Sequence, residues 1–155
     1  MKEYQEYNIE VPRFNEANGF YTTKKRSELM RKIKSKDTKP ELKLRKALWN
    51  MGFRYRKYLK NLPGSPDIVY SKHKLAIFVD GEFWHGFNWS EKKTKIKSNR
   101  EFWIPKIERN IQRDAQNNQI LINQGWQVIR IWENELKKDF YSCINRVIVH
   151  LKKEI

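Results

Sequence analysis

Two apolar runs, Lys74–Val79 (KLAIFV) and Trp126–Trp132 (WQVIRIW), bracket the longest helical pattern in the chain, Ile104–Gln124. This order constrains the fold more than any other feature. A nearly uninterrupted apolar strand has to be covered on both faces. A strand, a helix and a second strand close as a right-handed crossover with the strands parallel. Ile107, Ile111, Ala115 and Ile122 are the expected core face of the helix, which Pro105 confines to start near itself and Gly125 ends. Upstream, Arg26–Ser35 reads as a short basic helix with Leu29, Met30 and Ile33 on one side. Thr38-Lys39-Pro40-Glu41 reads as a capping box with Pro in the first turn. It opens a helix whose Leu44, Ala47, Leu48 and Met51 share a buried face, stopped by Gly52. Phe53–Tyr58 (FRYRKY) alternates aromatic and basic residues, the period of a strand. Leu59–Pro66 is a turn, Asp67–Tyr70 a short strand and Ser71–His73 a polar turn. Gly81–Trp89 reads as a glycine-punctuated aromatic loop and Glu91–Arg100 as a mobile basic loop. Ile144, Val147, Ile148 and Leu151 mark a terminal amphipathic helix. The order α, α, β, β, β, α, β, α defines an α/β protein.

A chain of 155 residues suits one domain. Residues 1–21 lack periodicity and are expected to form an arm, partly ordered at best, ahead of a single domain over 22–155. Lys and Arg number 33 against 18 Asp and Glu, a net charge of +15. That surplus calls for a polyanionic partner: nucleic acid first, with an anionic membrane surface as its rival. No apolar run approaches the ~20 residues that span a bilayer, and the first ten residues lack the apolar stretch of a signal peptide. Cys143 is the only cysteine. An intramolecular disulfide and a Cys-based zinc site are therefore both excluded. A cytoplasmic, nucleoid-associated protein is expected.

Asp67 opens a strand after a Pro-rich turn. Asp80 ends the next strand, and Glu82 follows two residues later. Neighbouring strands thus bring carboxylates to one edge, and Asp80 and Glu82 share a side if the strand geometry continues. Clustered carboxylates need a cation between them. Lys or Arg would serve, but Mg²⁺ is the natural occupant, taking one or two carboxylates with phosphate and water completing its octahedron. Such a site hydrolyses phosphodiesters. His85 can act as general base or acid, since its ordinary pKa lies near neutrality. Each residue also has a plainer reading. Asp67 and Asp80-Gly81 are turn formers, Glu41 is a capping acid, and the aromatics are core.

The stretch Leu62–Trp89, LPGSPDIVYSKHKLAIFVDGEFWHGFNW, resembles the heart of the very-short-patch repair (Vsr-type) mismatch endonucleases. KRSELMRKIKSKDTKPELKLRKAL from Lys25, NREFWIPKIERNIQRD from Asn99 and GWQVIRIWE from Gly125 extend the resemblance over about residues 22 to 150. It implies a restriction-endonuclease-like fold of the PD-(D/E)xK superfamily, a central mixed β-sheet flanked by α-helices, so that 22–155 would be a nuclease domain. It further implies Mg²⁺-dependent nicking of one DNA strand beside a T·G mismatch. By position, Asp67 matches the metal-binding Asp and the main-chain carbonyl of Val79 a second ligand. His85 matches a catalytic His and Glu41 an acid that supports it. Phe83, Trp84 and Trp103 match aromatics that wedge into the base stack. Two departures stand out. Asp80 occupies the position of a second catalytic His, where a carboxylate can bind metal directly. Glu82 stands where the wider superfamily carries Lys. The family's structural zinc site is also lost, with Glu82, Phe87, Trp89 and Asn134 at ligand positions, so aromatic packing is expected to replace it.

The leading expectation is a monomeric Mg²⁺-dependent endonuclease acting on double-stranded, mismatched DNA, with mismatch-repair helper proteins as further partners and no membrane. Lys93, Lys95, Lys97 and Arg100 are the expected flexible phosphate contacts. Two alternatives stay open: a restriction-type or branched-DNA nuclease of the same fold, and a non-catalytic DNA-binding module. The gathered acids Asp67 and Asp80, with His85, favour the enzyme, because a pure binder has no need of acids beside a phosphate backbone.

Overall fold

A computed structural model of the chain describes residues 7–152. The first six residues of the expected arm and the last three of the chain lie outside the described residues. Six α-helices and three strands follow in the order α1 (Lys24–Arg31), α2 (Lys39–Asn50), β1 (Ile68–Tyr70), β2 (Leu75–Asp80), α3 (Trp89–Lys95), α4 (Arg100–Asn123), β3 (Gln127–Trp132), α5 (Glu133–Lys138) and α6 (Phe140–Lys152) among the described residues. The chain forms two compact units. One takes the residues up to Ser35 together with Phe83–Ala115, and the other takes Lys36–Glu82 and the chain from Gln116 on.

The second unit holds the sheet. Its order is β1-β2-β3, with β1 antiparallel and β3 parallel to the central β2. The apolar run therefore sits in the middle, and the strand–helix–strand segment yields the expected parallel pair. Side chains alternate across the sheet with period two. Ile68, Tyr70, Leu75, Ile77, Ile129 and Ile131 face Leu44 and Leu48 of α2, Leu136 of α5, and Cys143, Ile144, Val147 and Leu151 of α6. Val69, Ala76 and Phe78 point the other way and meet Leu62 and Leu121. Each fully buried Leu or Ile contributes roughly 1.5–3 kcal/mol of burial free energy. The result is the α/β architecture expected, a mixed sheet flanked by helices.

Several local expectations are corrected. Phe53–Tyr58 forms no strand: its backbone pairs with β1 only at the single bridge between Arg56 and Val69, while the Tyr55 ring packs edge-on against Tyr70. Tyr58 sits at φ 52°, in the left-handed region, which breaks the extended run. The capping box at Thr38 does not close. Thr38 is the N-cap, but its side chain caps nothing and its hydroxyl oxygen is buried without a hydrogen-bond partner. Glu41, the intended reciprocal acid, is engaged by Arg45 and Tyr58 instead. The core residue near the end of α4 is Leu121, fully buried, while Ile122 is 54% exposed.

The first unit is built on aromatic rings. Phe14, Phe20 and Phe102 meet at centroid distances of 4.9–5.6 Å, and Phe102 continues to Trp103 at 4.9 Å. The Asn99 side chain and the Tyr21 backbone bond reciprocally, at 2.8 and 3.3 Å. Phe102 and Trp103 draw the start of α4 back to Arg100, so Pro105 lies inside the helix rather than at its start. Its missing N–H leaves the Glu101 carbonyl without a helical donor. Part of the expected basic loop is a helix, α3. Buried Trp89 anchors it, and the indole N–H of Trp89 donates to Glu108 at 3.2 Å.

Candidate active site

Asp67 follows the turn Gly64-Ser65-Pro66, in which Gly64 and Ser65 both adopt positive φ. Gly64 lies at φ 77°, in the left-handed region, and a Cβ there would crowd the Phe78 ring at 3.0 Å, so the turn favours glycine. The antiparallel ladder begins at Ile68 opposite Ile77. Val79 thus lies beyond the last rung, and the Asp67 carboxylate accepts its backbone N–H at 2.7 Å. This bond fixes an acid at the open end of the central strand, beside the Val79 main chain.

Asp80 is 3% exposed, and both of its carboxylate oxygens accept from Arg130 Nη1, at 2.9 and 3.1 Å. Arg130 reaches it from the neighbouring strand, two positions short of the register partner Trp132. The guanidinium lies 4.0 Å from the Phe78 ring centroid, and its Nε donates to Asn118 at 2.8 Å. A buried carboxylate is costly unless a partner compensates it, and Arg130 does so here. Glu82 accepts the backbone N–H of Asn134, tying the chain after β2 to the start of α5. The two residues expected at the family's zinc-ligand positions thus bond to each other.

Glu41 is 2% exposed on α2. It pairs with Arg45 one turn later at 3.0 Å and accepts the Tyr58 hydroxyl. Arg45 also pairs with Asp37. The Arg45 hydrogen bond holds the Asp37 carboxyl below its ordinary range, against a smaller opposing effect of burial. Burial pushes the Tyr58 hydroxyl up, and its bond to Glu41 adds to this.

In the first unit, His85 Nδ1 lies 2.6 Å from Asp114 Oδ2 on α4. Asn110 holds the same loop by donating to the Trp84 carbonyl at 2.9 Å. Gly86 lies at φ 71°, in the left-handed region, and a Cβ there would overlap the Ile111 side chain, so this loop too favours glycine. Phe83, Trp84 and Trp103 form a triangle with centroid separations of 5.2, 5.4 and 5.9 Å. Phe83 is 41% exposed. The expected phosphate contacts are more tied than a mobile loop allows. Lys93 pairs with Glu108 at 2.6 Å, Lys95 pairs with Glu91, and Arg100 donates to the carbonyls of Lys93 and Ile96.

Sequence reasoning missed Arg130 and Asp114. The signal for Arg130 was a lone cation inside an apolar strand. For Asp114 it was an acid flanked by core positions Ile111 and Ala115. Neither signal names the partner.

Comparison with known proteins bears on the whole of this arrangement. The family model described as DNA mismatch endonuclease Vsr matches residues 18–91. The type II nicking enzyme V.NmeDIP of Neisseria meningitidis serogroup C is 50% identical over 126 residues, 81% of this chain and 85% of that protein. V.HpaIIP of Haemophilus parainfluenzae, also a type II nicking enzyme, is 50% identical over 106 residues, 68% of this chain and 75% of its own. The DNA mismatch endonuclease Vsr of Escherichia coli K12 is 36% identical over 113 residues, 72% of this chain and 71% of that protein. Such identity, spanning the Asp67 turn, the β2 edge and the aromatic loop, makes this chain a member of the Vsr family of DNA endonucleases.

Proposed function

We propose that this endonuclease nicks one strand of double-stranded DNA beside a T·G mismatch, with Mg²⁺ as its cofactor, in very-short-patch mismatch repair. The observation that carries the mismatch reading is the triangle of Phe83, Trp84 and Trp103, a cluster of rings with Phe83 open to solvent. Aromatic wedges insert between bases and kink the duplex. The rings precede and follow His85 in the chain, so recognition and chemistry share one loop and one helix start.

The donors suit a hard cation. Asp67, the Val79 carbonyl and Asp80 offer oxygen only, the set that Mg²⁺ takes together with phosphate and water. When bound, the ion polarises the phosphoryl group and stabilises charge on the leaving oxygen. Asp67 is pre-set for this role by the Val79 N–H. Asp80 shares its carboxylate with Arg130, which holds it in place. His85, engaged at Nδ1 by Asp114, exchanges a proton with the reacting oxygen through its other nitrogen, and Asp114 stabilises the imidazolium. Glu41 and Glu82 support the site from within their own networks. Lys97 and Arg100 contribute to phosphate binding, while Lys93 and Lys95 act partly through their acid partners. The residues from 22 on work as one nuclease domain and the protein as a monomer. Structural zinc is dispensable: Glu82 bonds Asn134, and Trp89 is packed in the interior.

The test uses paired duplexes that differ only by T·G against C·G, incubated with Mg²⁺ and with EDTA. Nicking should require Mg²⁺ and prefer T·G. Asp67→Ala should abolish nicking and leave DNA binding intact. Equal nicking of both duplexes would make this a sequence-directed nicking enzyme instead, and full activity in Asp67→Ala would remove the metal assignment.

A further inference from the structure

The basic-aromatic run FRYRKY forms no strand, and the active site makes no use of Trp49, Arg54 or Arg56. These residues line or border a groove of about 710 Å³ between α2 and the segment that follows it, with Leu42, Lys46, Trp49, Tyr55, Arg56 and Lys57 on its walls. Its composition is unlike a solvated helix face. Leu42 and Trp49 are 46% and 45% exposed, seven residues apart on one stripe of α2. The indole of Trp49 is held from two sides: Tyr55 meets it edge-on at 5.5 Å, and the Arg54 guanidinium lies 4.1 Å from its ring centroid. Arg54 is itself anchored by donating to the Trp49 carbonyl at 2.7 Å. An exposed ring so braced loses little further freedom when a ligand stacks on it. Around the ring the charge is one-sided. Residues 36–60 hold nine Lys and Arg against two acids, Asp37 and Glu41, and both acids are already paired with Arg45.

We infer that this groove is a second nucleic-acid site, which takes unpaired single-stranded DNA by stacking a base on Trp49 while Lys46, Arg56 and Lys57 hold its phosphates. A polyanion follows from the charge, and a stacking ligand from the braced ring. Duplex DNA satisfies the first requirement but not the second, since its bases are already paired and stacked. A single strand satisfies both, because every unpaired base offers a π-face. Nicking a strand creates ends from which such a segment can fray, so the ligand is a product of the enzyme's own reaction.

The experiment measures binding of the full-length protein to a fluorescent dT oligonucleotide and to a matched duplex across a salt series, alongside nicking of a short duplex substrate. Trp49→Ala should weaken dT binding about 5- to 150-fold, the range for removal of one aromatic stacking partner. Trp49→Phe should keep most of the affinity. The double reversal Lys46→Glu, Arg56→Glu should lower the salt slope by ~0.7 for each phosphate that is no longer neutralised. Duplex binding and nicking should be unchanged in the two Trp49 variants, and the double reversal should weaken dT binding more than duplex binding, which separates this site from the catalytic one. Unchanged dT affinity in Trp49→Ala overturns the proposal. Equal losses on dT and duplex overturn the single-strand assignment in favour of a duplex-binding groove. Binding of anionic phosphatidylserine vesicles, abolished in Trp49→Ala while dT affinity is kept, would reassign the groove to a membrane surface. If Trp49→Ala lowers the melting temperature, Trp49→Leu and Trp49→Phe are compared under conditions where both are folded. Equal dT affinity in that pair also refutes stacking.

Discussion

The hydroxyl of Tyr58 has one proton and two lone pairs, and four groups compete for them. The Asp37 backbone N–H and Arg45 Nη1 each donate to it at 3.0 Å, which fills both lone pairs. The carboxylates of Glu41 and Asp37 then compete for the single proton. Glu41 lies closer, with Asp37 at 3.1 Å, and Asp37 is supplied by Arg45 Nη2 instead. Burial pulls the Arg45 guanidinium down, but Asp37 and Glu41 outweigh it and the net shift is upward. Asp37 is correspondingly shifted below its ordinary 3.8, chiefly by the Arg45 hydrogen bond. The sign follows from linkage. A depressed carboxyl contributes stability above its unfolded pKa, and loses it as pH falls through the lower folded value. Asp37→Asn should therefore be less stable than the parent at neutral pH, and the gap should close as pH drops below 3.8. Thermal melts of both proteins from neutral to acid pH check this, and a gap that stays constant would show that the charge of Asp37 has no part in it. Of this cluster, the sequence marks only Glu41, as the acid of a capping box. Tyr58 joins it because its backbone is left-handed, and nothing in FRYRKY marks a tyrosine for that conformation.

Helix α3 shows why a basic segment can be misread as a loop. Lys92, Lys93, Lys95 and Lys97 carry no apolar period, so propensity alone predicts a solvated coil. The helix is set by partners far along the chain: Glu108 takes both the Trp89 indole N–H and the Lys93 ammonium, and Arg100 caps the carbonyls of Lys93 and Ile96. The strands were readable, because burial on a sheet imprints an apolar run whatever the neighbours are. The carboxylates at strand ends were readable for the same reason. Arg130 opposite Asp80, and Asp114 beside His85, were not, since each pair joins residues that only the fold brings together. The helix also changes what its lysines can do. Lys93 is committed to Glu108, whereas Lys97 lies past the end of α3 and lines an aromatic-floored cavity with Phe83 and Trp103. Lys97→Glu should therefore weaken binding to every duplex alike and reduce the salt slope by ~0.9, the value for a single phosphate left unneutralised. Lys93→Glu should instead set two carboxylates side by side and lower the melting temperature. If the two reversals have the same effect on binding and neither alters stability, the segment behaves as a mobile loop after all.

At the scale of the whole molecule, a net charge of +15 guarantees attraction to DNA but carries no information about a mispaired base. T·G and C·G duplexes present the same phosphates, so any preference between them must come from the bases or from the ease of deforming the step. Unstacking a step costs about a few kcal/mol, and stacking a base on an aromatic side chain returns ~1–3 kcal/mol. These terms nearly cancel, so the smaller unstacking cost at a mismatch decides whether a wedge enters. Phe83, Trp84 and Trp103 contact one another edge-to-face, and removing one ring leaves the other two in place. On the proposed function, a preference for T·G over C·G should therefore fall in Trp84→Ala and in Trp103→Ala, while the circular dichroism spectrum and binding to matched duplex persist. Trp103 also packs on Phe102, so its variant should lose more stability than the Trp84 variant. Nicking rates on T·G and C·G duplexes, measured beside melting temperature, separate the outcomes. Unfolding of both variants would assign the rings to the core. Folded variants that still prefer T·G would move recognition to hydrogen bonds with the mispaired bases themselves.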